Sequence, residues 1–323
     1  MGQAISRPFP PPPRFTEKDL PDQTGKVFIV TGTTSGIGQA LSGVLYGANA
    51  KVYMAARSHD KALAVASELK KKYPTSKGQL IYLHLDLNDL ATIKKSADEF
   101  LAKEDKLHVL FNNAGVMFPP KDNKTAQGYE LQLGINALAP FLFTKLLTPV
   151  LLSTVKTSAP GDVRVVWVSS SFSGYFAPDG GVSMDNINYQ VERHPWVKYA
   201  ISKAANTLYS AEVARRYGQE GIISVSLDPG TLKTELFRNS GFLFRLAMKA
   251  IEYDPIYGAY TELFGGLSPE ITLERNNVWI APWGRIEPLR RDIDKACRTV
   301  DDGGTGNAQA FWEWSEQQVE MFA

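Results

Sequence analysis

Tyr199 and Lys203 lie four residues apart in the stretch Tyr199-Ala200-Ile201-Ser202-Lys203, whose pattern is helical. Residues i and i+4 share a helix face, so a phenol and an ammonium at this spacing reach the same small volume. The chemistry this offers is proton transfer. An unperturbed tyrosine titrates near pH ~10, and bringing it to about 7 takes roughly 4 kcal/mol. One positive charge about 4 Å away, at an effective dielectric of about 20, supplies roughly that much. On this arithmetic Lys203 makes Tyr199 a working proton donor. Taken alone, the pair reads as well as two surface residues on an ordinary helix, so the elements upstream must decide.

Those elements begin at Gly25. Lys26-Val-Phe-Ile-Val30 is an apolar run of strand length, followed at once by Thr31-Gly32-Thr-Thr-Ser35-Gly36-Ile37-Gly38 and then a helical pattern. Strand, glycine turn and helix in that order form the first unit of a dinucleotide-binding fold. The glycines let backbone approach a pyrophosphate, and the helix N-terminus presents free N–H groups. The spacing, G-x-x-x-G-x-G, differs from the commoner G-x-G-x-x-G.

The next strand, Lys51 to Ala56, ends at Arg57. That lies about twenty residues past the turn, where the ribose-reading residue belongs. An acid there would bond the 2′-hydroxyl of NAD. Arg57 instead suits the 2′-phosphate of NADP, with Lys61 one turn on as a second cation. NADP(H) is therefore expected over NAD(H). A helix over about 59–73 and a strand from Gln79 to Leu85 lead to Asp86, which either accepts from an adenine amino group or caps the following helix. The strand Val109 to Phe111 runs into Asn112-Asn113-Ala114-Gly115, whose small residues and amides suit close approach to a cofactor.

Four βα repeats by residue 115 imply a parallel sheet with right-handed crossovers, and ligands of such sheets gather at the strands' carboxyl ends. The expected fold is α/β, a Rossmann-type doubly wound parallel sheet with helices on both faces, in one domain over residues 25–323. Further on, a long apolar helix (about 127–154) carries Asn136, a poor residue for a helix interior. The strand Val163 to Val168 ends in Ser169-Ser170-Ser171 on the ligand edge.

Composition excludes other classes. The 323 residues are 44% hydrophobic and 21% charged, with 35 basic against 34 acidic side chains. A net charge of +1 offers no field for nucleic acid. The single Cys297 forms no internal disulfide, which points to a reducing, cytoplasmic compartment. It sits among Asp294, Lys295 and Arg298 with no His cluster nearby, and no metal is expected. No apolar run approaches the ~18 consecutive residues of a spanning helix. Residues 1–24, with Pro8 and Pro10 to Pro13, read as an extended surface arm. Met1-Gly2-Gln3-Ala4-Ile5-Ser6 fits the N-myristoylation pattern, which would place the chain weakly at a membrane.

Taken together, Thr31 to Gly38, Asn112 to Gly115, Asn136, the serine run and Tyr199-x-x-x-Lys203 resemble the short-chain dehydrogenase/reductase family, over about residues 25–290. The step of 29 positions from Ser170 to Tyr199 resembles that of the retinol-dehydrogenase-like and WW-domain-oxidoreductase-like branch. The resemblance implies that Tyr199 is the general acid/base, that Lys203 lowers its pKa and binds the nicotinamide ribose, and that Ser170 hydrogen-bonds the substrate oxygen. Ser171 is the alternative to Ser170, and Asn136 would hold a water linking Lys203 to solvent. Pro229-Gly230-Thr231-Leu232-Lys233-Thr234 matches the loop over the nicotinamide amide and pyrophosphate, which adds Leu232 and Thr234 to the cofactor set. Asp228 departs from the family pattern there.

The segment 237–266 is expected to cap the substrate, and its apolar character suits a lipophilic carbonyl or alcohol, a secondary metabolite or retinoid-like compound, or a membrane surface. Core packing is its other reading. The Trp-rich C-terminus reads as strand, loop and a closing helix, or as a surface pairing two copies of the chain. A non-catalytic NADPH-binding scaffold is the alternative function.

Overall fold

The computed structural model describes residues 9–234 and 251–323. In chain order the elements are β1 (Val27–Thr31), α1 (Gly36–Gly47), β2 (Lys51–Ala56), α2 (His59–Lys72), β3 (Gln79–His84), α3 (Leu90–Leu101) and β4 (Val109–Asn112). The long helix α4 (Leu131–Val155) comes next, then β5 (Arg164–Val168), α5 (Ser171–Phe176), α6 (Pro195–Tyr217) and β6 (Ile223–Leu227). The chain closes with α7 (Pro255–Leu267), β7 (Trp279–Ala281), β8 (Arg285–Glu287), α8 (Arg291–Ala296) and α9 (Asn307–Val319).

The strands form one sheet in the order β3-β2-β1-β4-β5-β6-β7-β8. The first seven pair parallel, as the βα repeats require, and β8 turns back antiparallel to β7. The order reverses between β1 and β4, which opens a crevice at their carboxyl ends.

Strand alternation divides the core in two. Phe28 and Val30, with Val52, Met54, Phe111 and Val166, face α1, α2 and α7. Ile29, Leu110, Val165 and Trp167 face α3, α4, α6 and α9. On that second face Tyr209 stacks between Phe141 and Phe311, each 4.9 Å away, and shares a 2.7 Å hydrogen bond with Ser315. The closing helix α9 thus packs on the body. The stretch Leu131–Val155 is long and apolar enough to cross a membrane; 67% of its most apolar window is buried, because it is the central helix of this second core.

Two expectations change. Among the described arm residues, Phe15 does not lie on the surface: it is buried, with its ring edge-on to Phe264 of α7 at 6.3 Å. Residues 255–266 take the core-packing reading of their segment. They form α7, whose Ala259, Leu263 and Phe264 are core residues on the sheet. The expected cap's 237–250 portion falls outside the described residues, as do Gly2 and the acylation motif.

His108 joins β1 to the start of β4. Its Nδ1 accepts from Val27 N at 3.0 Å, while its own N donates to Val27 O at 2.8 Å. Burial, then the charge of Lys26, lowers the imidazole pKa from 6.5 to about 4, which leaves the ring neutral at pH 7 and able to accept that bond. A depressed folded-state pKa contributes stability that is present above the unfolded value and is lost as pH falls through the folded one. The melting temperature should therefore drop between pH 6.5 and 4, with roughly 3 kcal/mol at stake. His108→Gln, which keeps an acceptor but does not titrate, should flatten that fall; an unchanged slope would assign it to other groups.

Candidate active site

Thr31 ends β1 and fastens two loops together. Its hydroxyl donates to Phe111 O at 3.1 Å and accepts from Asn113 N and Ala114 N at 3.0 and 2.9 Å. Asn113 Nδ2 donates back to Thr31 O at 2.7 Å, so this side chain holds the loop rather than projecting freely. The glycine turn packs against that junction. Gly32 adopts φ +76°, and a Cβ there would stand 3.0 Å from Ala114 Cα. A Cβ on Gly38 would meet Gly32 O at 2.5 Å, so Gly38 serves close packing of α1 on β1.

The N-cap of α1, Ser35, makes no side-chain capping bond, and the helix's first turn carries no acid. Its leading N–H groups and dipole are left for an anion. This cradle fits a dinucleotide pyrophosphate.

The cradle is one end of a cavity of about 350 Å³ at the strands' carboxyl ends. It is lined by Gly32, Ser35, Gly36, Ile37, Arg57, Asp86, Asn113, Ser170, Tyr199, Lys203 and Thr234, which the sequence singles out at widely separated places. Arg57 is exposed at the cavity edge. Lys61 is exposed on α2 and outside the lining. Asp86 does not cap α3: its Oδ1 accepts from Asn88 N at 3.0 Å, and Asp89 is the cap, accepting from Ala91 N. The side chain of Leu232 is buried against the Gly258 position of α7, so only its backbone is available to a cofactor.

At the other end stand Ser170, Tyr199 and Lys203. Ser170 caps α5, accepting from Phe172 N at 3.2 Å, and lines the cavity with Tyr199. Ser169 turns inward to Lys203 O at 2.6 Å, and Ser171 opens α5. The Lys203 ammonium donates to Val168 O at 2.8 Å and sits 5.9 Å from the Tyr199 ring centroid. Both groups are buried.

The electrostatics differ from the simple Coulomb expectation. Burial pushes the phenol above its ordinary value, the Ser170 hydrogen bond pulls it back in part, and Asp228 adds to the rise. The lysine charge, turned to a carbonyl, does not reverse this. Burial lowers Lys203 itself to about 8, against the opposing pull of Glu262 and Asp228.

Asn136 lies in a π-helical turn, Gly134–Leu138, at the head of α4. Its Oδ1 accepts from Val116 N at 2.7 Å, and its Nδ2 donates to Val116 O and Ser202 Oγ at 2.9 and 3.0 Å. Both donors are used, so the side chain ties the loop after β4 to the turn of α6 between Tyr199 and Lys203. A Cβ on Gly115 would stand 3.2 Å from both Asn136 Oδ1 and Lys203 Nζ, so only glycine leaves that space open.

Sequence reasoning missed the aromatic side of the site. Phe118 and Phe172 meet Tyr199 edge-on at 5.9 and 5.6 Å, and Trp196 stacks on Phe118 at 5.9 Å. Trp196 carried a usable signal, since it precedes Tyr199 by three residues on one helix face. Glu262 was read as part of a cap; it is wholly buried, with neither carboxyl oxygen hydrogen-bonded.

The short chain dehydrogenase family model matches residues 26–241. The chain belongs to the short-chain dehydrogenase family. A short-chain dehydrogenase/reductase of Phomopsis amygdali is 51% identical over 327 residues, covering 100% of this chain and 98% of that protein. The short-chain dehydrogenase/reductase pkfC of Emericella nidulans is 48% identical, covering 96% and 98%.

Among solved structures, an uncharacterized protein from Mycobacterium Paratuberculosis is similar with a TM-score of 0.64 at 28% identity, over 95% of this chain and 97% of the other. An NADP-bound, NAD(P)-dependent gluconate 5-dehydrogenase from Beutenbergia cavernae shares the fold, with a TM-score of 0.62 at 22% identity, over 80% of this chain and 96% of the other. As a short-chain dehydrogenase this protein is an oxidoreductase with a nicotinamide dinucleotide site, acting on a small molecule.

The Asn136 junction can be tested directly. Asn136→Ala strips Val116 N and O and Ser202 Oγ of their partner, and should cost about 2–4 kcal/mol. Denaturant unfolding measures this; a loss below ~0.5 kcal/mol would mean the junction is held otherwise.

Proposed function

We propose that this short-chain dehydrogenase is an NADP(H)-dependent oxidoreductase that interconverts a carbonyl and an alcohol on a lipophilic small molecule, with Tyr199, Ser170 and Lys203 as its catalytic residues. The observation that carries this reading is convergence: Ser170, Tyr199 and Lys203 line one end of the cavity that begins in the glycine cradle.

A reduced nicotinamide, bound along Gly32, Ser35 to Gly38, Asn113, Leu232 and Thr234, would supply a hydride to the carbonyl carbon. The chain's own groups do the rest. Tyr199 donates its proton to the developing alkoxide, and Ser170 donates a hydrogen bond to the same oxygen. Lys203 supplies the positive charge that replaces the lost proton's, and Asn136 fixes the α6 turn that carries both residues. The phenol is protonated at neutral pH, the form that donates in the reductive direction, and the cofactor pool sets which way the reaction runs.

Arg57 supports NADP(H): it stands at the cavity edge where an acid would favour NAD, with Lys61 as a second, solvent-side cation. Met117 and Phe172 in the lining, with Phe118 and Trp196 behind, favour a lipophilic carbonyl such as a secondary metabolite or a retinoid-like aldehyde. We place the chain in the cytoplasm, with the lone Cys297 thiol half-buried and pushed up to about 12 as a structural residue.

Tyr199→Phe should abolish turnover of a ketone and aldehyde panel, by ~10²-fold or more, while NADPH binding followed by fluorescence stays within ~threefold. Activity retained in that variant would remove Tyr199 from the chemistry. Arg57→Glu should weaken NADPH at least ~tenfold and leave NADH nearly unchanged. Equal effects on the two cofactors would remove the 2′-phosphate reading.

A further inference from the structure

The stretch between Ser170 and Tyr199 is held from the far end of the chain. Arg290, between β8 and α8, spreads its guanidinium over the carboxyl end of α5. Its Nη1 donates to Gly174 O and Ala177 O at 3.2 and 3.0 Å, with Ser173 O at 3.4 Å, and its Nη2 donates to Pro178 O at 2.7 Å. Asp292 fixes the fork from the other side, accepting from Arg290 Nε and Nη2 at 2.6 Å each, and it also accepts from Gly180 N at 2.8 Å. Asn307, at the head of α9, donates to Gly180 O and Val182 O at 2.9 Å each. Side chains from beyond β8 thus grip the backbone from Ser173 to Val182.

That backbone carries the substrate side of the site. The helix α5 has six residues, too few to hold its shape unaided, so the bonds at its two ends set its position. At the amino end Ser170 is the cap, and Ser173 Oγ donates back to Ser170 O at 2.7 Å. At the carboxyl end the last carbonyls, which the helix itself leaves unpaired, meet the Arg290 cation. Ser170 and Phe172 line the cavity with Tyr199. Past α5, Ala177 packs with Ala200 and Ala204, the residues that follow Tyr199 and Lys203 on α6. Gly181 has φ +82°, and a Cβ there would stand 3.0 Å from Ala204 Cβ, so the gripped loop lies directly on that helix.

We propose that Arg290 is a positioning residue for the carbonyl substrate: by closing the carboxyl end of α5, it sets where Ser170 and Phe172 stand against Tyr199. This rests on the reading of Ser170 and Tyr199 as the groups that meet the substrate oxygen. A guanidinium suits the task because its planar fork donates in several directions at once, and Asp292 holds the fork in one orientation. Arg290 is not part of the cavity lining and acts through the backbone it grips. The glycine cradle is built on β1, β4 and α1 at the other end of the cavity, so loss of the clamp separates the carbonyl from the cofactor.

The test compares wild type with Arg290→Ala in the full chain, well below either melting temperature. For a ketone or aldehyde that the wild type reduces, kcat/KM should fall by ~10- to 100-fold, through a higher KM for the carbonyl and a lower kcat. The dissociation constant of NADPH should stay within ~twofold. Hydrogen exchange read by mass spectrometry should quicken over residues 171–178 and stay as in wild type over the cradle at 31–38. Arg290→Lys, which keeps the charge but not the fork, should fall between the two.

An Arg290→Ala chain that melts earlier yet keeps its kcat and carbonyl KM would make the clamp structural only and overturn the proposal. Equal weakening of NADPH and carbonyl would overturn it too. If Arg290→Ala does not fold, Arg290→Lys is read in the same way. A wild-type chain that reduces no carbonyl would defeat the proposed function instead. The exchange rates over 171–178 then decide for the clamp alone: quickened exchange keeps it, and unchanged exchange removes it.

Discussion

A cation buried against the end of a β-strand is the constraint that the rest of the site answers. Lys203 donates to Val168 O, and Asn206, nearly a turn further along α6, donates to the same carbonyl at 3.0 Å. Ser169 reaches back to Lys203 O, and Asn136 binds Ser202, whose hydroxyl donates to Tyr199 O at 2.8 Å. Each such bond contributes only about 1 kcal/mol net, yet leaving any of these buried groups unpaired costs about 1–3 kcal/mol. The arrangement is therefore close to all-or-none. It fixes the register of α6 against β5, and with it the place of the Tyr199 phenol.

The sheet supplies the second anchor. A parallel sheet delivers every strand's carboxyl end to one edge, and its order reverses between β1 and β4, so the two loops there diverge around a crevice. Thr31 keeps them from diverging too far, with one hydroxyl serving three backbone groups. Small residues fill the junction because nothing larger fits: Gly32 stands against Ala114, Gly38 against Gly32, and Gly115 before the lysine. The cofactor end and the proton-transfer end of the cavity are thus two products of the same edge geometry, built from β1, β4, β5 and β6.

Most of this was legible because it is local or periodic. Strand, glycine turn and helix declare the cradle within about a dozen residues, and the spacing of Tyr199 and Lys203 declares a shared helix face. Other features depend on contacts between distant parts of the chain. The alternation of Phe28 and Val30 says that β1 is covered on both faces, but not that Phe15 of the arm completes one of them beside Phe264. The tyrosines at 253, 257 and 260 look like a lipophilic cap when read in line. In space Tyr253 and Tyr257 both pack on Trp283, at 5.1 and 5.2 Å, a residue of the distant β7–β8 turn. Asp86 and Asp89 are equally good helix caps by type, and only the backbone path after β3 selects Asp89.

The phenol shows why spacing alone does not set a pKa. The i, i+4 relation brings Tyr199 and Lys203 to one face, but it leaves the ammonium free to choose its partner, and it turns to the Val168 carbonyl. At about 6 Å and an effective dielectric of about 20, a unit charge contributes roughly 3 kcal/mol, and that requires a fully charged lysine with no competing acid. Here burial weakens the cation while Asp228 opposes it at the phenol, so desolvation dominates and the proton stays on oxygen. A site with this balance rests as a loaded acid. In the proposed reaction the proton leaves only when a stronger base, the alkoxide formed by hydride transfer, appears beside it, so the order of events follows from where the lysine points.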